Sequence, residues 1–580
     1  MKKKVIAMLL AIGMATSLSA CGGSEESDTN VNASTDIASS DDSTLSEEEA
    51  AAGIDLSENL TISLWQITDD YHGLYTDYAE NPVMNWMAEK FNITLELQQP
   101  PMGSESEQIN LMFGTGDYTD FVSTTYCGGD LGMLYEDDVI RDLAPYLERH
   151  MPNYYAYLNA EENKDVKAAL YDDEGHLFTI AIVNCEEPYT WGGLMYRKDI
   201  LETMTEGNIA FPSGEEEPVT IEDWEYMLDL MKTYFEASGM TDTACLILPS
   251  TGYFSSGELL AGFGIGGTTY IDEEGNVQCG IASDNMYNYL VKMKEWYEAG
   301  YIYQDFASRT QDVFYLPNTA LTYGGAAGIW YGFASQLGST MSLPEYGLNI
   351  QMEPLSAPLD TEHGITGEEA GALLYSGRAS VNSGWAATTA CGEEELIRMM
   401  TALDTFYTDE GRLIKQMGLS TAEDAAGNPI LQGLGLTEGT RITGTSEWTD
   451  KLNNDSSIDK GPLIGLRMPG LSENDKPRAF ELADGVDLNE YGSQVWSKYG
   501  TDRVLPSGVT DTVTETNYNS TAFTNITDYA NSMIPQFITG KAELTEESFQ
   551  AYVDQMYALG LQEYLDNKAA AYERYLGRMN

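Results

Sequence analysis

Leu60-Thr61-Ile62-Ser63-Leu64-Trp65 alternates apolar and polar side chains with the period of a half-buried strand. Residues 81–91 follow as a helix, with Val83, Met84, Met87 and Phe91 on one face, and Ile93-Thr94-Leu95-Glu96-Leu97 alternates again. Farther on, Ile109, Leu111, Met112 and Phe113 suit a helix ending near Gly114 or Gly116, and Asp120-Phe121-Val122 reads as a third short strand. This strand–helix–strand alternation predicts βαβ units, a mainly parallel sheet and an α/β fold class. Such sheets bind ligands beyond the carboxyl ends of their strands, which directs attention to residues 66–71 and 123–129.

Upstream of the first strand the composition changes. Residues 22–58 are rich in Ser, Thr and Asn, with nine acidic residues between 24 and 50, no aromatic side chain, and no Lys or Arg between Lys4 and Lys90. Such a segment buries too little apolar surface to order itself, and as a coil it spans roughly 30–35 Å. Ahead of it, Lys2, Lys3 and Lys4 precede an uncharged apolar run over 5–14 and then Leu18-Ser19-Ala20-Cys21, the plan of a secretory signal over residues 1–20. The apolar run is too short to span a bilayer, which takes about 20 residues. The tetrad resembles the lipobox of bacterial lipoproteins. That resemblance implies palmitate-type acylation of Cys21 and a lipid anchor on the extracytoplasmic face of the cell membrane.

The chain has 580 residues, and 560 without the leader, which is too long for one core and predicts at least two lobes. Thirty basic against 92 acidic residues give a net charge of −62, or −65 once Lys2, Lys3 and Lys4 are lost. That balance excludes nucleic acid as a partner and disfavours a polyanionic ligand. Beyond Cys21, Cys127, Cys185, Cys245, Cys279 and Cys391 are widely spaced and odd in number, which predicts buried free thiols rather than a disulfide scaffold. Four histidines, none at metal-ligand spacing, argue against a zinc centre. Asp172-Asp173-Glu174-Gly175 and Asp272-Glu273-Glu274-Gly275 lack the alternating ligands of a calcium loop and read as hairpin turns. No cofactor is expected.

Toward the middle, residues 177–183 are strand-like, followed by 184–191 and the run 192–201. Thr220 with Asp223 forms an acidic capping box for a helix striped by Ile221, Trp224, Met227, Leu228, Met231, Tyr234 and Phe235. A second such helix, over 284–299, carries Met286, Leu290, Met293, Trp296 and Tyr297.

The order of several segments resembles the extracellular solute-binding proteins of sugar ABC importers, the branch related to maltose-binding protein. The carriers are Gly116-Asp117-Tyr118-Thr119-Asp120, then Asp173-Glu174-Gly175-His176-Leu177-Phe178 leading to Tyr196-Arg197-Lys198-Asp199-Ile200-Leu201, then Thr220-Ile221-Glu222-Asp223-Trp224 and the glycine-bearing run 323–330. At the C-terminus, Phe537-Ile538-Thr539-Gly540 and Ala571-Tyr572-Glu573-Arg574-Tyr575 resemble the Gram-positive lipoprotein subfamily. The resemblance implies a two-lobed periplasmic-binding-protein-like fold of type II, hinged between discontinuous lobes: 59–187 with 375–505, and 188–374 with 506–580. It also implies capture of a carbohydrate and delivery to permease subunits by a monomeric, non-catalytic protein.

Sugar recognition needs flat apolar faces and carboxylates or amides for the hydroxyls. The residues placed where strands and crossovers meet the cleft are Trp65, Asp69, Asp70, Thr125, Tyr126, Glu187, Trp191, Trp330, Tyr331 and Trp385. Two other readings stand beside import: a surface glycan-binding protein without a transporter, and a secreted glycosidase. The second is weakened by the absence of a Gly-x-Ser-x-Gly elbow, a His-Glu-x-x-His helix and a P-loop.

Overall fold

The computed structural model describes residues 54–66, 81–101, 103–127, 131–185, 192–248, 258–308, 319–322, 324–338, 342–343, 348–372, 381–417, 468–472, 488–498, 503–506 and 508–579. The chain builds two main sheets, each with its own hydrophobic core. The first contains Leu60–Trp65 (β1), Ile93–Gln98 (β2), Phe121–Ser123 (β3), Ile180–Asn184 (β4), Val381–Ala387 (β13) and Gly470–Ser472 (β14), in the order β14-β4-β13-β3-β1-β2. The second contains Gly192–Arg197 (β5), Ala244–Leu246 (β6), Ala327–Phe333 (β9) and Met352–Leu355 (β12), in the order β12-β5-β9-β6. Two small ribbons complete the strands: Tyr270–Ile271 (β7) with Val277–Gln278 (β8), and Ser342–Leu343 (β10) with Leu348–Asn349 (β11).

The βαβ reading of the first sheet matches the register. β1 runs parallel to β2 from Leu60 opposite Ile93 to Trp65 opposite Gln98, and parallel to β3. The intervening helix Pro82–Lys90 starts where Asn81 Oδ1 accepts from Val83 N at 2.9 Å, and Val83, Met84, Met87 and Phe91 are all buried. The next helix, Glu105–Thr115, stops at Gly116, whose φ of 75° only glycine adopts without strain.

The expectation of a mainly parallel sheet holds for the first sheet, where β1, β2, β3, β4 and β14 share one direction, and each main sheet contains one reversed strand. β13 lies antiparallel to both β3 and β4, and β5 antiparallel to both β9 and β12. The cause is connectivity. β4 ends at Asn184 in one sheet and β5 begins at Gly192 in the other, so β5 does not reach its sheet neighbours β9 and β12 from a preceding strand of the same sheet. β13 makes the return journey and enters between β3 and β4 from the opposite direction. The close approach there demands Gly384, because a Cβ at that position would lie 2.0 Å from Ile180 O.

The second body is mostly helical. In the helix Ile221–Ser238, Asp223 N donates to Thr220 Oγ1 at 3.2 Å while Asp223 Oδ2 accepts from Thr220 N at 2.9 Å, completing the expected box. Burial would raise the Asp223 pKa, but backbone N–H groups of Thr220, Ser213 and Val219 outweigh it and hold the carboxyl below its ordinary range. Trp224 stacks on Trp296 of the helix Asp284–Glu298, with centroids 6.0 Å apart. The helices Val513–Ile538, Glu546–Ala558 and Leu561–Met579 pack into the same core. The helix Leu488–Trp496 lies on β5, where Trp496 Nε1 donates to Leu194 O at 2.7 Å; the division given above would group this helix with the first sheet.

Both acidic turns are hairpin turns: Tyr171 bridges Leu177, and β7 pairs with β8. Cys245, Cys279 and Cys391 are buried free thiols whose pKa burial pushes up to about 12, whereas Cys127 is half-buried and Cys185 exposed. No helix among the described residues is long and apolar enough to cross a membrane.

Arg398, on the helix Glu393–Asp404, is buried without a carboxylate partner and donates instead to four carbonyls, those of Asp55, Glu58, Phe91 and Asn92. It ties the segment ahead of β1 to the back of the first sheet. Arg398→Met removes the donors and strands those acceptors, so a loss of about 3 kcal/mol is expected by urea unfolding. Proteolysis within 54–58 should become faster in the same variant.

Candidate functional site

A cavity of about 730 Å³ opens where the first body meets the N-terminal end of the helix Val513–Ile538. The first body supplies Thr124 and Thr125, just past the carboxyl end of β3, together with Tyr135, Glu136, the turn 171–174, His176 and Phe178. The second body supplies residues 510–513 and Thr516.

The threonines are fixed by β13. Thr124 Oγ1 accepts from Gly384 N at 2.9 Å, and Thr125 Oγ1 donates to Ser383 Oγ at 2.9 Å. Beside them, Tyr135, His176 and Phe178 make a tilted aromatic wall, with Tyr135 centred 4.8 Å from His176 and 5.1 Å from Phe178. Phe178 is held from behind by a buried cluster containing Trp65, Ile109, Val122 and Ile140. An apolar face flanked by hydroxyls and carboxylates suits the alternating C–H and O–H surfaces of a sugar ring.

Carboxylates dominate the polar lining. Asp172 Oδ1 accepts from Glu174 N and His176 N, and its Oδ2 lies 2.8 Å from His176 Nδ1. Burial alone would lower the His176 pKa, but the Asp172 hydrogen bond and charge outweigh it and leave the imidazole above its ordinary value. Asp173 is gripped by Arg574 and Arg578 of the C-terminal helix. Arg574 also holds Glu515 bidentately, at 2.6 and 3.1 Å. Asp511 Oδ2 accepts from Lys568 Nζ at 2.8 Å and Asn519 Nδ2 at 2.9 Å, whereas its buried Oδ1 meets no donor. No group of three or more His, Cys, Asp or Glu suited to a metal occurs among the described residues.

Of the residues singled out in the sequence, Thr125 lines this cavity. Trp65 and Tyr126 belong to the cluster behind its wall. Trp385 is fully buried in the first core, its indole N–H donating to Gln66 Oε1 at 3.1 Å. Trp330 is only 1% exposed and packs with Met195, Leu337 and Trp496 in the second body. Tyr331 is half-buried there, its hydroxyl donating to Gly192 O at 3.0 Å. Asp69, Asp70, Glu187, Trp191 and the acylation candidate Cys21 lie outside the described residues. The residues that sequence reasoning missed are Tyr135, His176, Phe178 and Asp511. The signal available for two of them was the Asp-Asp-Glu-Gly-His-Leu-Phe run 172–178, read as a turn and as part of the family resemblance but not as a binding site.

No protein-family model and no curated protein sequence matches the chain. Solved structures do match in three dimensions. An HMO-binding, ABC-transporter-associated solute-binding protein of Bifidobacterium longum infantis aligns with TM-score 0.66 and 16% identity, over 89% of this chain and 99% of its own. The S. pneumoniae ABC-transporter substrate-binding protein FusA, solved with kestose, gives 0.63 and 15%, over 89% and 99%. The alginate-binding protein AlgQ2 gives 0.62 and 16%, over 89% and 98%. The chain has the two-lobed α/β fold of these extracellular solute-binding proteins.

Two outcomes follow from the geometry. Because Trp330 is core, Trp330→Ala should cost about 3–5 kcal/mol in chemical unfolding, whatever it does to a ligand. His176 should titrate above an ordinary histidine by NMR, and Asp172→Asn should lower its pKa. Since folding raises this pKa, the pair stabilises the fold below pH 6.5, and that contribution is lost as pH rises through the folded value.

Proposed function

We propose that this chain is the substrate-binding component of an ABC importer, that it captures an oligosaccharide in the cavity between its two bodies, and that it hands the sugar intact to permease subunits. The observation that carries the reading is the cavity's make-up: an aromatic wall of Tyr135, His176 and Phe178, the hydroxyls of Thr124, Thr125 and Thr512, and carboxylates on both sides. The fold supports it, because the matched structures are described as binding proteins, two of them of ABC transporters, one HMO-binding and one in complex with kestose, and the third alginate-binding. Binding rather than catalysis also agrees with the sequence, which lacks the hydrolase motifs named above.

In this reading residues 1–20 are removed, Cys21 carries the lipid, and 22–53 is a slack leash holding the body near the outer face of the membrane, ending where Arg398 fixes Asp55 and Glu58. The body acts as a monomer, closing over its ligand by movement of one lobe against the other.

A thermal-shift panel of oligosaccharides, amino acids and peptides tests the proposal, since a ligand at 100 times its Kd stabilises the native state by about 2.7 kcal/mol. A sugar should raise the melting temperature and be recovered uncleaved; a peptide or amino acid doing so instead would overturn the reading. Tyr135→Ala should weaken sugar binding about tenfold or more while leaving the unliganded melting temperature nearly unchanged, because the ring is half-buried at the cavity edge. Loss of sugar uptake in cells lacking the protein separates import from simple surface attachment.

A further inference from the structure

We infer that Arg574 and Arg578, on the last helix of the chain, are positioning residues of the sugar site that set the spacing of its two walls. This rests on the carbohydrate reading of the cavity. Neither arginine is among the cavity's lining residues, but the groups they hold belong to the lining or lead directly into it.

On the first body both guanidinium groups meet Asp173, in the turn that borders the cavity. Arg574 Nε donates to Asp173 Oδ2 at 2.5 Å, and Arg578 Nη1 donates to Asp173 Oδ1. On the second body they grip the stretch that enters the helix Val513–Ile538. Arg574 Nη2 donates to Thr510 O at 3.2 Å while its fork holds Glu515, and Arg578 Nη2 donates to Gly508 O at 2.5 Å. Residues 510–513 are the second wall. Arg578 Nη2 also reaches Ala168 O at 3.4 Å, on the first body's helix Lys164–Leu170, whose Ala169 and Leu170 line the cavity. Each guanidinium thus runs from a wall residue of one body to the backbone that carries the wall of the other.

The planar fork is what makes these contacts a spacer. Its N–H directions are fixed, so acceptors held by one guanidinium are held at a set distance from each other. The two backbones also touch beside it, because a Cβ at Gly508 would lie 2.7 Å from Ala169 Cα. That contact stops the walls from coming closer, and the two forks oppose their separation. A sugar that touches both walls gains most when they already stand at the right distance, since it does not have to order them itself. The contacts are polar and partly open to water, so dissolved salt screens them. An uncharged ligand should therefore bind with an affinity that depends on salt through the protein alone.

Calorimetry with a neutral oligosaccharide that binds in the panel tests this. Raising salt from about 0.05 M to about 0.5 M should weaken wild-type binding about threefold. Asp173→Asn cuts the ion pairs of both arginines at once and leaves their grip on Glu515, Thr510 and Gly508 in place. It should weaken binding about three- to tenfold, remove the salt effect, and shift the unliganded melting temperature by no more than about 2 °C. Arg578→Lys keeps the charge and loses the fork, so it should bind as weakly as Asp173→Asn while staying sensitive to salt. A merely structural role would lower the melting temperature and leave the salt dependence unmoved. Unchanged or tighter binding by Asp173→Asn, or wild-type affinity indifferent to salt, overturns the inference and leaves the carbohydrate reading standing. Full affinity in Arg578→Lys overturns the fork as the spacer. Failure of every neutral sugar to bind overturns the carbohydrate reading itself.

Discussion

The two bodies of this protein pack their cores independently, and Asp173 is a point at which they are tied. A turn of the first body presents its carboxylate to Arg574 and Arg578 of the last helix of the second, and Arg574 reaches on to Glu515. These groups are partly open to water, with Arg574 27% and Asp173 29% exposed, so each contact contributes modestly and is exchangeable. A seam of this kind differs from an apolar one. Water can take the place of each of these charged partners as it leaves. The cavity lies along this seam, and its shape is therefore set by a junction that costs little to rearrange.

The walls of the cavity are much stiffer than the junction. Thr124 and Thr125 are locked to β13 by hydrogen bonds that only a glycine at 384 allows, since a side chain there would collide with Ile180 O. Phe178 is backed by Trp65 and its neighbours. On the far side, residues 510–513 enter a helix whose capping box, Thr512 with Glu515, shares its glutamate with Arg574. Burial would raise the Glu515 pKa, yet Arg574 and Thr512 hold it below its ordinary range. The site thus joins two well-braced surfaces across a junction that includes several exchangeable polar contacts.

Much of this was legible in the sequence wherever local periodicity decides. The strand at 60–65, the helix between Asn81 and Phe91 and the boxed helix after Thr220 all stand where their side-chain spacing puts them. The parallel run of β1, β2 and β3 was legible too, but the reversal of β13 and β5 was not, because it depends on which body a segment joins after crossing and neither strand carries a local mark of that choice. The site was harder still. Tryptophans near strand ends drew attention, yet Trp330 and Trp385 fill cores, as large indoles on buried strands do. The wall uses smaller aromatics from a turn and a short helix, brought together only by the tertiary fold. Asp511 precedes a helix by two residues in an acid-rich chain, and nothing local separates it from the other 91 acidic residues.

Arg398 has a mechanical consequence. Its Nη1 donates to the carbonyls of Glu58, Phe91 and Asn92, and its Nη2 to that of Asp55. Tension arriving from residues ahead of Ile54 is passed through this rivet into the helix Glu393–Asp404 before it reaches β1. The strand beyond it is loaded in shear along its parallel pairing with β2, so its rungs resist together instead of unzipping one at a time.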